Sequence, residues 1–215
     1  MIFWVEAIAF VVMLFVSYAI GSIPFGLVVG KLFYHVDVRK HGSGNVGTTN
    51  VFRVLGTKAG VAVLILDMLK GYVPALAASL IFNPWFTIFI AAAPVVGHMY
   101  SIFLKGRGGK GIATGAAVVL ALEPRAFAII IVVWVVLVLT TRYVSLASLA
   151  ATFTVPVLVI WFDDPLPYEI AAVLVTIVIF YAHRGNIARL VHGKEHRVRL
   201  PWSHDDSAVA GGGRA

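Results

Sequence analysis

Apolar residues in this chain run together in long blocks, and polar residues are confined to the short stretches between them. A helix that is apolar on every side belongs in a core or in lipid. Blocks of about 15 to 28 residues cross, or nearly cross, ~30 Å of hydrocarbon as helices. The pattern predicts seven of them, at about 3–30, 59–82, 85–104, 111–123, 126–141, 143–162 and 168–184. The fourth and fifth are short and meet at Glu123-Pro124-Arg125, where proline stops a helix, so the alternative is a six-span arrangement that merges weak segments. The fold class expected is therefore all-α, a polytopic integral membrane protein.

Composition removes the soluble alternative. Only 13% of the 215 residues are charged and 60% are hydrophobic, too few charges to cover a soluble surface. A formal charge of +7 suggests nucleic acid at first sight, but its distribution argues against that partner. With seven spans, every basic residue except Arg125 and Lys70 falls on one side, while Glu6, Glu123, Asp163, Asp164 and Glu169 collect on the other. The positive-inside rule then places the N-terminus outside and the C-terminus in the cytoplasm, and an even number of spans would scramble the separation. Glu6 stands where a cleavable signal would carry positive charge, so the first block reads as a retained span. Residues 1–202 form one membrane domain, and the polar, glycine-rich stretch 203–215 is expected to be a disordered tail. With no cysteine, disulfides are impossible.

Three polar blocks interrupt this pattern, all on the basic side. The first is Gly42-Ser43-Gly44-Asn45-Val46-Gly47-Thr48-Thr49-Asn50, followed by Arg53. Glycines let backbone N–H groups converge, hydroxyls and amides add donors, and arginine adds charge, a composition suited to phosphate. Its formal G-x-G-x-x-G has no flanking βαβ unit, so a dinucleotide fold is rejected. The second, from Gly97-His98 to Gly108-Gly109-Lys110-Gly111, lacks the first glycine and the final Ser or Thr of a nucleotide-hydrolase loop. It does open a helix, and a helix N-terminus with Lys110 suits an anion. The third runs from His183 to Glu195, where spacings of three and four put His183 and Asn186 on one helical face. For each block the plain alternative is a cytoplasmic loop or an interfacial basic helix.

Asp67 and Lys70, three apart inside the second span, read as a buried ion pair. Gly26-x-x-x-Gly30 and Gly111-x-x-x-Gly115 suit close helix packing. Neither His98 nor His183 has carboxylates at metal-ligand spacing, so no metal is expected. No nucleophile elbow is present either, so the chemistry must come from positioning or from the substrates.

Taken together the blocks resemble the bacterial acyl-phosphate:glycerol-3-phosphate acyltransferases of the PlsY type. The resemblance rests on G-S-G-N-x-G-x-T-N-x-x-R at 42–53, on Gly97-His98 with G-G-K-G at 108–111, and on H-R-x-N-I-x-R-L-x-x-G-x-E at 183–195. Ser101, Gly106 and Ala188 depart from it, and so put loop shape and some charge in question. The resemblance implies transfer of a fatty acyl group from acyl phosphate to the sn-1 hydroxyl of glycerol 3-phosphate, giving lysophosphatidic acid and phosphate. It implies a bacterial inner-membrane enzyme with a cytoplasmic site, no cofactor, no covalent acyl-enzyme, and coupling to an enzyme that makes acyl phosphate. As catalytic residues it points to Ser43, Arg53, Lys110, His183 and Asn186. For substrate and phosphate it points to Gly42, Gly44, Asn45, Thr48, Thr49, Asn50, His98, Gly108, Gly109, Arg189 and Glu195. The competing reading is a small transporter of a phosphorylated solute, supported only by Asp67 and Lys70 and weakened by the absence of a clear repeat.

Overall fold

The computed structural model describes residues 2–198, which are helical with no strand among them. The expected tail at 203–215 lies outside the described residues. In chain order the helices are α1 (Ile2–Ser22), α2 (Phe25–Tyr34), α3 (Thr48–Leu55), α4 (Thr57–Ile81), α5 (Pro84–Met99), α6 (Ile112–Leu122), α7 (Pro124–Thr141), α8 (Val144–Trp161), α9 (Leu166–Ala182) and α10 (Arg184–Val191). Two single 3₁₀ turns, Val38–Lys40 and Ile102–Leu104, punctuate the loops. Helix α4 is central and touches α1, α2, α3, α5 and α6. Apolar side chains such as Phe15, Val132 and Leu174 face outward, the pattern of a lipid-facing surface.

Five helices, α1, α4, α5, α7 and α8, are long and apolar enough to cross a membrane, and α9 with α10 qualifies as one pair bent by 62°. Helix α6 has 11 residues, short as the sequence pattern predicts and, at about 1.5 Å each, under the hydrocarbon thickness, so length alone accounts for five or six spans among the described residues. One expectation needs correction. The block at 3–30 is not one helix but two, because Pro24 lacks an N–H and disfavours helical backbone at Ile23.

That break leaves carbonyls in an apolar setting, where an unbonded polar group is costly. Distant segments supply donors. Ser101 Oγ donates to the Ser22 carbonyl at 2.6 Å, and Lys70 Nζ donates to the Ile23 carbonyl at 3.0 Å. A Cβ on Gly21 would run into the backbone of Pro94, and one on Gly97 into the Tyr18 carbonyl, so glycine is what lets α1 and α5 approach closely. The Gly111-x-x-x-Gly115 packing expectation is met at its first glycine alone: a Cβ on Gly111, which takes a left-handed φ of +81°, would lie 3.1 Å from Val95 of α5, whereas one on Gly115 would meet nothing within 4 Å.

Contacts between distant loops define two ends. At one, Val198 N–H donates to the Arg142 carbonyl and Ser145 bonds Glu195, joining the start of α8 to the segment after α10. At the other, Thr87 Oγ1 bonds the carbonyls of Ala78 and Phe82, and the turn between α6 and α7 meets the turn between α8 and α9. There Arg125 Nε lies 2.7 Å from Glu123 Oε1 and Arg125 Nη2 lies 3.4 Å from Asp164 Oδ1. Burial, and then the neighbouring Glu123, push the Asp164 carboxyl up to about 6. A carboxyl raised on folding contributes stability that is complete below its unfolded value of 3.8 and is lost as pH rises through about 6. In detergent, Asp164→Asn should therefore melt at or above the wild-type temperature at pH 7.5. The advantage should shrink towards pH 5, and a gap independent of pH would contradict this assignment.

Candidate active site

All three polar blocks meet at the end where α4 begins and α5 finishes. The glycine-rich run turns through left-handed Gly42 (φ +60°) and Gly44 (φ +72°), then enters α3. Asn50 holds its shape. Its Oδ1 accepts from Ser43 N–H at 2.8 Å, and its Nδ2 donates to the carbonyls of Val38, His41 and Asn45. Asn45 Oδ1 accepts from Gly47 N–H at 2.7 Å, a side-chain turn of the kind asparagine favours. The Asn50 side chain is thus committed to backbone, in contrast to the direct substrate contact expected of it, while Asn45 has its Oδ1 so engaged.

The exposed side chains of Ser43, Thr49 and Arg53 make no hydrogen bond or ion pair among the described residues. Arg53 projects from α3, with its Cδ beside Gly42. Thr48 turns instead towards Asp67 of α4, Oγ1 to Oδ2 at 3.5 Å.

In the second block the expectation for Gly108 and Gly109 is corrected. Their amides donate to the carbonyls of Met99 and His98 at 3.0 and 2.9 Å, so they close the loop onto the end of α5 and leave no N–H for phosphate. The His98 imidazole is buried, with Gly109 packed so tightly against its Nε2 that a Cβ would collide. On its other side, Nδ1 lies 3.4 Å from Thr114 Oγ1 and 3.6 Å from Asp67 Oδ1. Asp67 and Lys70 form the expected ion pair at 2.7 Å.

Lys110, just before α6, reaches the third block and donates to Asn186 Oδ1. Asn186 Nδ2 in turn donates to Glu195 Oε1 at 2.7 Å, Arg189 Nε donates to Oε2 at 2.7 Å, and Ser145 Oγ donates to Oε1 at 3.0 Å. Burial opposes the Glu195 charge, but the hydrogen bonds from Asn186, Arg189 and Ser145 outweigh it and hold the carboxyl below its usual range. Glu195 is accordingly an organiser of donors, a role that fits an acid poorly suited to touching phosphate. Burial pushes the Lys110 ammonium down to about 8; Glu195 pulls it back up, while the nearby charges of Arg189 and Arg53 add to the fall. His183 sits at the bend between α9 and α10, almost fully buried. Its Nδ1 lies 2.9 Å from the Ile179 carbonyl, which only accepts, so Nδ1 carries the proton and a neutral ring keeps its lone pair on Nε2.

The resulting geometry is a face with two cations and two hydroxyls that make no hydrogen bond among the described residues, backed by an amide, an imidazole and a carboxylate. Sequence reading missed Ser145 and Thr114. Each is a small hydroxyl residue in the first turn of an apolar helix, a position that invites a partner from a neighbouring element.

The sequence pattern described as glycerol-3-phosphate acyltransferase matches residues 11–193. A glycerol-3-phosphate acyltransferase of Geobacillus kaustophilus is 46% identical over 87% of this chain and 95% of its own length. This chain belongs to that family. A second glycerol-3-phosphate acyltransferase, of Lactiplantibacillus plantarum, is 41% identical over 92% of the chain and 97% of its own length. Among solved structures, PlsY, an integral membrane glycerol 3-phosphate acyltransferase, superposes in its glycerol 3-phosphate form with a TM-score of 0.86 at 43% identity, covering 89% of this chain and 96% of that one. Its lysophosphatidic acid form superposes with a TM-score of 0.84 at 42% identity over the same shares.

The acyltransferase-family site depends on Glu195 for its shape. Glu195→Ala removes the acceptor of three donors, among them the buried Asn186, and should cost about 2 to 4 kcal/mol. Glu195→Gln, which keeps one acceptor oxygen, should cost less. Thermal melting in detergent measures both, and equal melting temperatures for the two variants and the wild type would contradict this role.

Proposed function

We propose that this protein transfers an acyl group from an acyl phosphate to glycerol 3-phosphate, releasing lysophosphatidic acid and inorganic phosphate. The observation that carries the proposal is the convergence of Arg53 and Lys110 with the uncommitted hydroxyls of Ser43 and Thr49 at one end of an apolar helical body. Both substrates carry phosphate, and one also carries a chain that belongs in the bilayer. A face with two cations at the edge of that body suits both demands.

In the reaction the glycerol hydroxyl oxygen attacks the acyl carbonyl carbon, the bond from that carbon to the phosphate oxygen breaks, and phosphate departs. The hydroxyl proton passes to a phosphate oxygen, so atoms and charge balance without a protein nucleophile. Acyl phosphate is already activated, so the protein's task is alignment and stabilisation of the developing oxyanion. Arg53 and Lys110 hold phosphate, and Ser43 and Thr49 donate to phosphate or substrate oxygens. His183, through its Nε2 lone pair, orients the acceptor hydroxyl. Asn186, set by Glu195, fixes Lys110, and Arg189, held by the same carboxylate, adds donors. Asn45, Asn50, His98, Gly108 and Gly109 act by holding the loops.

For topology we propose seven crossings, with α6 as a short one, the N-terminus outside and the site and C-terminus in the cytoplasm of a bacterial inner membrane. The charge separation along the chain and the gathering of all three blocks at one end support this reading. An enzyme that makes acyl phosphate must then act on the same side to supply the donor. The transport alternative loses its support, because Lys70 is tied to the Ile23 carbonyl and Asp67 to Lys70.

The direct test is transfer of a labelled acyl group from acyl phosphate to glycerol 3-phosphate by detergent-purified protein, where no compartment exists to be transported across. Lys110→Ala and Arg53→Ala should each lower kcat/KM by more than about tenfold, or ~1.4 kcal/mol. Because Lys110 must be cationic to hold phosphate, kcat/KM should fall as pH rises through about 8, and Lys110→Arg should move that fall upward. A flat profile from pH 7 to 9.5 with wild-type protein would remove Lys110 from phosphate binding.

A further inference from the structure

The buried pair of Asp67 and Lys70 is more elaborate than an ion pair within one helix requires. Lys70 alone neutralises Asp67 at 2.7 Å. Yet the carboxylate and its own backbone also engage three other helices. Thr48 Oγ1 of α3 approaches Oδ2 at 3.5 Å, His98 Nδ1 of α5 approaches Oδ1 at 3.6 Å, and Thr114 Oγ1 of α6 donates to the Asp67 carbonyl at 2.9 Å. A hydroxyl has one proton, so Thr114, donating to that carbonyl, receives from the Nδ1–H of His98 at 3.4 Å. Asp67 and Thr114 are almost fully buried, and His98 nearly so.

These partners are placed with respect to the site in a particular way. Thr48 is the first residue of α3, directly after the glycine-rich run and five residues before Arg53. Thr114 lies in the first turn of α6, four residues after Lys110. The His98 ring and carbonyl hold Gly109, the residue before Lys110. Asp67 is thus the shared neighbour of the segment that leads into Arg53 on α3 and of the loop that carries Lys110, between which no direct hydrogen bond runs among the described residues.

We propose that Asp67 is a positioning residue that sets the 42–50 loop and the 105–111 loop against one another, and that Thr48 serves this frame and does not contact substrate. The proposal rests on the acyltransferase reading for its consequence in catalysis but on geometry alone for the coupling of the loops. Spacing between two phosphate-binding groups decides whether hydroxyl and carbonyl meet in reactive geometry, so a loosened frame lowers the rate while leaving each loop's own chemistry intact.

The test is hydrogen–deuterium exchange and steady-state kinetics on detergent-purified wild type, Thr48→Val, Thr48→Ser, Asp67→Asn and the Val/Asn double variant. Thr48→Val removes one hydroxyl from one loop. If Asp67 couples the loops, exchange should quicken at 105–111 as well as at 42–50, with α7 to α9 unchanged. Exchange that quickens only at 42–50 overturns the coupling, whether or not the protein proves to be an acyltransferase. In kinetics, Thr48→Val should lower kcat/KM for glycerol 3-phosphate about tenfold, and Thr48→Ser should restore it. The double variant should lose no more than the worse single one, because both act through one contact. Multiplying losses would instead make Thr48 a substrate ligand and sink that half of the proposal. Should Asp67→Asn fail to fold, the Thr48 pair still decides the matter, and absent wild-type transfer activity would count against the function while leaving the exchange result to judge the frame.

Discussion

Hydrocarbon offers a broken helix nothing to bond with, and much of this structure follows from the break between α1 and α2. Where Pro24 ends the first helix, the Ser22 carbonyl takes a donor from Ser101, and the Ile23 carbonyl, reached locally by the Phe25 N–H, takes a second donor from Lys70. An ammonium brought to that depth requires a counter-charge, which Asp67 provides one turn earlier on α4. The carboxylate has further lone pairs, and these draw in Thr48 and His98. A backbone defect near the start of the chain therefore leads, through one lysine, to the placement of loops far from it in sequence. It also lets α2 turn away from α1 to pack with α3 and α4, where Val29, Val51 and Val63 share a small core beneath the glycine-rich run.

The apolar blocks were readable because lipid imposes a strong and simple pattern, and the expected boundaries agree with α4 to α9 within a few residues. The break in the first block was not. Pro74, Pro94 and Pro156 all lie inside continuous helices, so Pro24 carries no mark that sets it apart. What separates it is a set of distant donors, visible only once the chain has folded. The short α3 was hidden for a related reason: Thr48-Thr49-Asn50 reads as a loop on propensity, while burial of Asn50 and Val51 against neighbouring elements makes it a helix.

Within the site, residue type foretold chemistry better than role. Asn50 and Arg53 lie three apart and were both expected to meet substrate, yet the first is wholly engaged with the loop's backbone and the second makes no hydrogen bond or ion pair among the described residues. Gly108 and Gly109 have the composition of a phosphate loop, but their amides close a turn on α5. A donor's availability depends on which acceptors the fold brings beside it. One sequence does not encode that locally, except where a polar residue such as Ser145 or Thr114 opens an otherwise apolar helix.

Free and committed groups divide in a way that suits a reaction without a protein nucleophile. Groups that would meet phosphate, Arg53 and Lys110, are long cations, one of them partly desolvated by burial. Groups that fix their bases, Asn50, Glu195, Asp67 and His98, are engaged by neighbouring backbone and side chains. Flexible cations on a loose scaffold would bind phosphate without fixing its position, and alignment would be lost. A rigid base with a mobile tip separates the two tasks, so that substrate can enter while the distance between the two phosphate positions stays set by the helices. With the activated acyl donor proposed above, that distance is the quantity the fold must control, and the buried polar contacts are concentrated where they would control it.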